Sequence, residues 1–216
     1  MKLVFLGPPG AGKGTQAAVI SQALNIPHIS TGDMFRKAIR EATPTGLKAK
    51  AFIDQGQLVP DSVTVEMVKE RLSEDDCKGG YLLDGFPRTL VQAQTFAKIA
   101  DKIGKPVEAV IALEVDFEIL KERITGRRIC PKCGAIFHMK NHPPKVEGIC
   151  DECGAELSQR KDDTVEQLKV RMDEYEKSTK PVIDFYEGKG VVTHIDAANK
   201  PAEVFEKIKE ALGKID

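Results

Sequence analysis

The sequence predicts an α/β fold, a mostly parallel sheet with helices on both faces, and three observations predict it. Apolar runs of strand length alternate with amphipathic stretches of helix length, the pattern of parallel strands joined by helical crossovers. The first apolar run leads into glycines and then a helix, reading MKLVFLGPPGAGKGTQ. The alternation breaks down once, over residues 127–160, where four of the five cysteines gather, so a separate unit is inserted there.

KLVFLG (2–7) is a short apolar strand ended by glycine, and GKGTQAAVISQAL carries helical periodicity through Ala17, Ile20 and Leu24. HISTGDMFRKAIRE (28–41) starts as a brief strand, and Thr31 or Asp33 is placed to cap the helix after it. TPTG interrupts the chain. LKAKAFIDQG and DSVTVEMVKERL then read as helices on either side of a turn at QGQLVP, with Asp61 capping the second. GGYLLDGFPR (79–88) is an apolar run closed by Asp-Gly and Pro, which predicts a buried parallel strand. TLVQAQTFAKIADKIG is a helix, EAVIALEV (108–115) a fourth strand, and DFEILKERITGRR a helix reaching Gly126. Residues 164–190 predict one long helix kinked at Pro181. VVTHIDA is a fifth strand, and PAEVFEKIKEALGKI a closing helix with Pro201 in its first turn.

A chain of 216 residues supports one domain, or one domain with insertions, and 41% hydrophobic with 30% charged residues describes an ordinary globule. The net charge of −1 supplies no basic field for nonspecific nucleic-acid binding. No stretch is long and apolar enough to span a bilayer, and the apolar start is too short for a secretory signal. A cytoplasmic enzyme is the expectation. Cysteine pairs spaced C-x2-C then read as metal ligands rather than disulfides, with Cys77 a spectator.

Gly7, Gly12 and Lys13 satisfy G-x-x-x-x-G-K in the strand–loop–helix context that a phosphate-binding loop requires. Backbone N–H groups and the helix N-terminus attract a phosphate chain, and Lys13 adds a point charge near its outer phosphates. Gly14 stands where the generic motif has Ser or Thr, and Thr15 follows. Arg36, Arg88, Arg123, Arg127, Arg160 and Arg171 lie at element ends or beside Gly and Pro, as a clamp on two polyphosphates requires. Asp84, closing a strand at the carboxyl edge of the sheet, is the candidate magnesium ligand.

Taken in order, GPPGAGKGTQ, HISTGDMFR, GQLVPD, LLDGFPRT, RITGRR and QRKDD resemble the adenylate kinase family from end to end. The paired cysteines resemble its long-lid, zinc-bearing bacterial type. The resemblance implies a P-loop kinase core with a five-stranded parallel sheet between helices, over residues 1–29, 60–126 and 165–216. It adds an AMP-binding insertion at 30–59 and a zinc-containing lid at 127–164. It implies reversible transfer of the γ-phosphoryl of ATP to AMP, giving two ADP, with Mg2+ accompanying ATP. The partners would be these nucleotides alone, with no nucleic acid or membrane, and the protein a monomer.

By the same resemblance, Gly10, Ala11, Gly12, Lys13, Gly14 and Thr15 would wrap the ATP phosphates. Arg123 would pack on the ATP base, Ile136 and Phe137 would line it, and Asn199 would meet it through its backbone. Thr31, Arg36, Gln57, Leu58, Val59, Gly85, Phe86, Pro87, Arg88 and Gln92 would form the AMP site, with Gln92 reading the adenine edge and Arg88 holding the α-phosphate. Arg127 and Arg171 would approach phosphates, Arg171 also bordering AMP, and Arg160 would reach the AMP side from the lid near Asp162 and Asp163. Lys13, Arg36, Arg88, Arg127, Arg160, Arg171 and Asp84 would carry catalysis by positioning and charge neutralisation.

Cys130, Cys133, Cys150 and Cys153 give C-x2-C-x16-C-x2-C, four thiolates that close a tetrahedron and leave no open position. The metal is therefore expected to be structural. Gly134 and Gly154 ease the turns after the second cysteine of each pair. Zinc is the expected metal, and iron suits the same sulfurs. His138 and His142 lie nearby but find the coordination saturated.

Three other readings differ in acceptor or class. A kinase for UMP, CMP or GMP would share the phosphate machinery. An ATPase using water leaves the second arginine group unexplained. A nucleic-acid-binding zinc ribbon leaves the glycine loop unused, and residues 127–160 offer it six Lys and Arg against four Asp and Glu, with Phe137 as the one aromatic.

Overall fold

The computed structural model describes residues 1–213. Lys214 and Ile215 of the expected closing helix, and residues 214–216 of the expected core segment, lie outside the described residues. The strands are β1 (Lys2–Leu6), β2 (His28–Ser30), β3 (Tyr81–Asp84), β4 (Ala109–Glu114), β5 (Arg127–Ile129), β6 (Ile136–His138) and β7 (Val192–Asp196). Five of them form one sheet in the order β2-β3-β1-β4-β7, with every neighbour parallel. β5 and β6 form a separate antiparallel hairpin inside the inserted unit.

The helices are α1 (Lys13–Ala23), α2 (Thr31–Arg40), α3 (Pro44–Asp54), α4 (Asp61–Leu72), α5 (Leu90–Lys102), α6 (Phe117–Thr125), α7 (Val165–Glu174), α8 (Lys180–Glu187) and α9 (Pro201–Leu212). The central strands are buried on both sides, and their alternation divides two cores. Val4, Leu6, Tyr81, Leu83, Val110 and Ala112 face α4, α5 and α8. Leu3, Phe5, Leu82, Ile111 and Leu113 face α1, α6, α7 and α9. β1 lies in the middle, and the chain leaves it first toward β2 and later returns to β4 on its other side. That reversal opens a crevice at the carboxyl ends of the strands, where the Gly-rich loop sits.

Two units have small cores of their own. α2 and α3 enclose Phe35, Ala49 and Val59. The inserted unit buries Phe137 with Cys130 and Cys150. No described helix is long and apolar enough to cross a membrane.

Local chemistry differs from expectation at four places. The N-cap of α2 is Ser30, whose hydroxyl accepts the Asp33 N–H; Thr31 and Asp33 are inside the helix. TPTG starts a helix rather than interrupting one, because Thr43 caps Gly46 and Pro44 occupies the first turn, where its missing N–H costs nothing. α4 begins without a side-chain cap, since Pro60 holds that position and Asp61 is spent elsewhere. The expected single helix over 164–190 is divided by a π-helical turn at Tyr175–Thr179, just before Pro181, so the irregularity precedes the proline.

Gly46 marks the closest approach of α3 to α2. A Cβ there would overlap the Ala38 carbonyl and stand 2.5 Å from the Ile39 nitrogen. Replacing a helical glycine by alanine ordinarily gains about 1 kcal/mol. Here overlap with backbone, which cannot swing aside, outweighs that gain. Gly46→Ala is expected to cost about 1–3 kcal/mol, read as a fall in the thermal midpoint; an unchanged or raised midpoint would contradict the packing described.

Candidate active site

The loop from Gly7 to Gly12 curls over the end of β1. Gly7 has φ +143°, and a Cβ on it would stand 2.7 Å from the Leu113 carbonyl oxygen, so only glycine fits. Gly12 caps α1 in the left-handed region at φ 94°. Lys13 folds back over the loop and donates to the carbonyl oxygens of Gly7 at 2.7 Å and Pro8 at 2.8 Å. Burial pushes its pKa down to about 7, opposed by Asp84 and reinforced by Arg88, Arg171 and Arg127.

A cavity of about 140 Å3 opens beside Lys13. Among the expected AMP-site residues, Thr31, Arg36, Gln57, Leu58, Val59, Gly85, Pro87, Arg88, Gln92 and Arg171 line it. Phe86 does not. Its ring is fully buried in the sheet core, edge-on to Phe96 at 5.3 Å, because a large apolar side chain after β3 finds more contact there than in a charged cleft. Thr31 donates to the Gly85 carbonyl at 2.8 Å, and Arg88 Nε donates to the same oxygen at 2.7 Å.

Arg36, Arg127 and Arg171 are held by carboxylates. Asp33 accepts from Arg36 at 2.6 Å and lies 3.9 Å from Arg160. Asp162 pairs with Arg171 at 2.9 Å, and Asp163, wholly buried, accepts from Arg127 Nε at 2.8 Å. Burial favours the neutral form of Asp33, but Arg36 outweighs it and holds that carboxyl below the usual range. Arg88 has no carboxylate partner among the described residues, and burial lowers its pKa to about 10. Arg160 is lowered to about 9 by burial and then by Arg36 and Arg127, and its Nε is buried without a partner among the described residues.

Asp84 closes β3 beside the loop, with its Oδ2 3.3 Å from His28 Nε2 and 3.5 Å from where a Cβ on Gly14 would sit. Arg123 stands apart from the cavity. It donates to the carbonyl oxygens of Ala197, Ala198 and Asn199 at 2.8, 3.1 and 3.2 Å and leans on Ala11 at 3.4 Å. Gly10, Gly14 and Thr15 complete the loop and first turn on this same side, and Thr15 is exposed. In the inserted unit Ile136 is exposed. The Phe137 side chain is buried, stacked on His142 at 5.4 Å, so only its backbone is left to meet a ligand.

Sequence reasoning missed His28, Glu174, Tyr175 and Thr179, the last three of which line the cavity. Nothing local announces them. Asp33 was legible as a partner of Arg36 from its i,i+3 spacing on a helix.

The four sulfurs of Cys130, Cys133, Cys150 and Cys153 lie within 4.8 Å of one another. Cys130 and Cys153 are 3.4 Å apart and Cys133 and Cys150 3.5 Å, close to the edge of about 3.8 Å that a tetrahedron with 2.3 Å metal–sulfur bonds requires. The two pairs repeat one turn: Gly134 N donates to Cys130 O and Gly154 N to Cys150 O, both at 2.9 Å. Neither histidine joins the group. His138 Nε2 meets the Glu122 carbonyl at 3.2 Å, while its Nδ1 accepts from Lys140 and Asn141.

A glycine loop at the switch point of a parallel sheet, with an arginine-lined cavity beside its lysine, defines a P-loop phosphotransferase. Comparison with known proteins agrees. The profile of the family described as adenylate kinase matches residues 5–191. An adenylate kinase of Clostridium beijerinckii is 55% identical over 213 residues, 99% of each chain. One from Clostridium perfringens is 54% identical over the same span, and one from Clostridium tetani 50% identical over the full length of both. The chain belongs to the adenylate kinase family. It transfers the γ-phosphoryl of ATP reversibly to AMP, yielding two ADP.

The depressed Lys13 pKa has a consequence for the free protein. Between about pH 7 and the 10.5 of a free lysine, the unfolded chain holds a proton that the folded chain has released, so stability rises with pH across that window. Lys13→Met is expected to melt higher than the parent at pH 7, the difference shrinking toward pH 10. Parallel melting curves at all pH values would show that the lysine carries no such penalty.

Proposed function

We propose that the residues divide the reaction as follows, within a core of 1–29, 60–126 and 165–216, an AMP-binding insertion at 30–59 and a lid at 127–164. Gly10 to Thr15 wrap the ATP phosphates, with Lys13 exchanging its two carbonyl partners for phosphate oxygens. Arg123, Asn199 through its backbone, Ile136 and the backbone of Phe137 bound the ATP base. Thr31, Arg36, Gln57 to Val59, Gly85, Pro87, Arg88 and Gln92 hold AMP; Arg88, lacking a carboxylate, takes the α-phosphate. Arg127, Arg160 and Arg171 trade Asp163, Asp33 and Asp162 for phosphate charge as the lid comes down. The observation that carries this reading is the unneutralised Arg88 facing Lys13 across one cavity.

No side-chain base is required. The acceptor is a phosphate oxygen already ionised at neutral pH, so positioning and charge neutralisation supply the rate, while closure keeps water from becoming the acceptor. Asp84 is the residue that would hold Mg2+: a buried hard oxygen donor beside the phosphate loop with one weakly placed imidazole as its partner. The ion would supply neutralisation of the transferring phosphates.

The four thiolates fit Zn2+ as a closed, structural site that replaces the core a unit of this size cannot build. We place the protein in the zinc-bearing, long-lid type on this fit. The expected metal content is one zinc per chain. Its removal is expected to lower the lid's melting temperature and weaken ATP binding, and zinc restores both; loss of turnover at saturating substrate with the lid intact would contradict a structural role.

Lys13→Met is expected to lower kcat by about 10²–10³, the range for removing one preorganised charge from a developing transition state. Side-by-side assays with AMP, GMP, CMP and UMP test the acceptor. Efficient turnover of a pyrimidine monophosphate would overturn the assignment of the AMP residues.

A further inference from the structure

We propose that Asp61 is a specificity-determining positioning residue: it locks the carboxamide of Gln92 so that the site accepts a 6-aminopurine monophosphate and rejects a 6-oxopurine one. The inference rests on the placement of Gln92 against the acceptor base made above. Asp61 is the first residue of α4, and its Oδ1 accepts from Gln92 Nε2 at 2.8 Å and from Thr89 Oγ1 at 3.0 Å. On the other side of the amide, Gln92 Oε1 accepts the backbone N–H of Arg88 at 2.7 Å. A carboxylate only accepts and a backbone N–H only donates, so both neighbours dictate the same orientation. Turned over, the amide would set oxygen against oxygen and N–H against N–H, at a side chain only 2% exposed. Buried groups left unpaired in that way are costly.

The lock matters because a free carboxamide reads purines ambiguously. Its oxygen and amino group match the N6–H donor and N1 acceptor of a 6-aminopurine. Turned over, they match the O6 acceptor and N1–H donor of a 6-oxopurine equally well. In this cavity one oxygen lone pair and one N–H of Gln92 remain without a protein partner among the described residues, and their order along the wall is set. A base tethered through its ribose to a phosphate at the Arg88 end cannot turn over to suit the opposite order. Selectivity then belongs to a residue that need not touch the substrate. Thr89 completes the device: its hydroxyl accepts the Gln92 backbone N–H at 3.1 Å and donates to Asp61, seating the carboxylate against the amide.

The test compares kcat/KM for AMP and for inosine monophosphate, which differ only at the 6-position and N1, in the parent, Asp61→Ala, Thr89→Val and Gln92→Ala. Asp61→Ala, which removes the acceptor that both Gln92 and Thr89 use, is expected to lower the AMP-to-IMP ratio about tenfold, the low end of what a paired amide–base contact discriminates. The change should fall on KM for the monophosphate, with KM for ATP close to the parent's. Thr89→Val should shift the ratio the same way by less, and it carries the test if Asp61→Ala does not fold. An unchanged ratio in both, with the ratio collapsed in Gln92→Ala, overturns the role of Asp61 and leaves Gln92 the base reader. An unchanged ratio in Gln92→Ala overturns the base assignment and the proposal with it.

Discussion

Burial lowers the proton affinity of Lys13, Arg88, Arg160 and Arg171, and nearby guanidiniums among Arg36, Arg88, Arg127 and Arg171 lower it further. Two like charges 4 Å apart near a protein surface repel by about 4 kcal/mol, so such a gathering needs either carboxylates or a scaffold stiff enough to resist it. The protein uses both. Asp33, Asp162 and Asp163 each hold a guanidinium, and the parallel sheet fixes where Lys13, Asp84 and Arg88 emerge. On the division of the site proposed above, arriving phosphates would relieve a repulsion that already exists in the free protein.

The rest of the architecture follows from keeping that charge in place while leaving it accessible. β1 and β3 are fully sheathed by helices, so the two strands that deliver the loop and Asp84 cannot shift independently. The parts that cover the cleft are built differently. The α2–α3 pair and the cysteine-bearing unit each bury a few side chains of their own and share little core with the sheet.

Much of the fold was legible because its signals are local. The strand–loop–helix of GPPGAGKGT needs no distant contact to be read, and neither do the cysteine spacings or the buried runs at 79–88 and 108–115. Side-chain roles set by distant partners were not legible. Asp61 reads as a helix cap from its place before VTVEMV, but its carboxylate is taken by Thr89 and Gln92, about thirty positions away. His28 meets Asp84 across 56 positions, and Phe86 turns inward to Phe96 rather than outward with its neighbours in GFPR. The cavity lining at Tyr175 and Thr179 depends on a π-helical turn that the continuous helical pattern of 164–190 conceals.

The close approach at Gly46 has a mechanical meaning. At this crossing the α3 backbone is set directly against the carbonyl of Ala38, with no side chain between the two helices. α2 and α3 therefore cannot slide past each other at that point without backbone meeting backbone. The end of the pair is braced as well, since a Cβ on Gly56 would stand 2.8 Å from Gln167 Oε1 on α7.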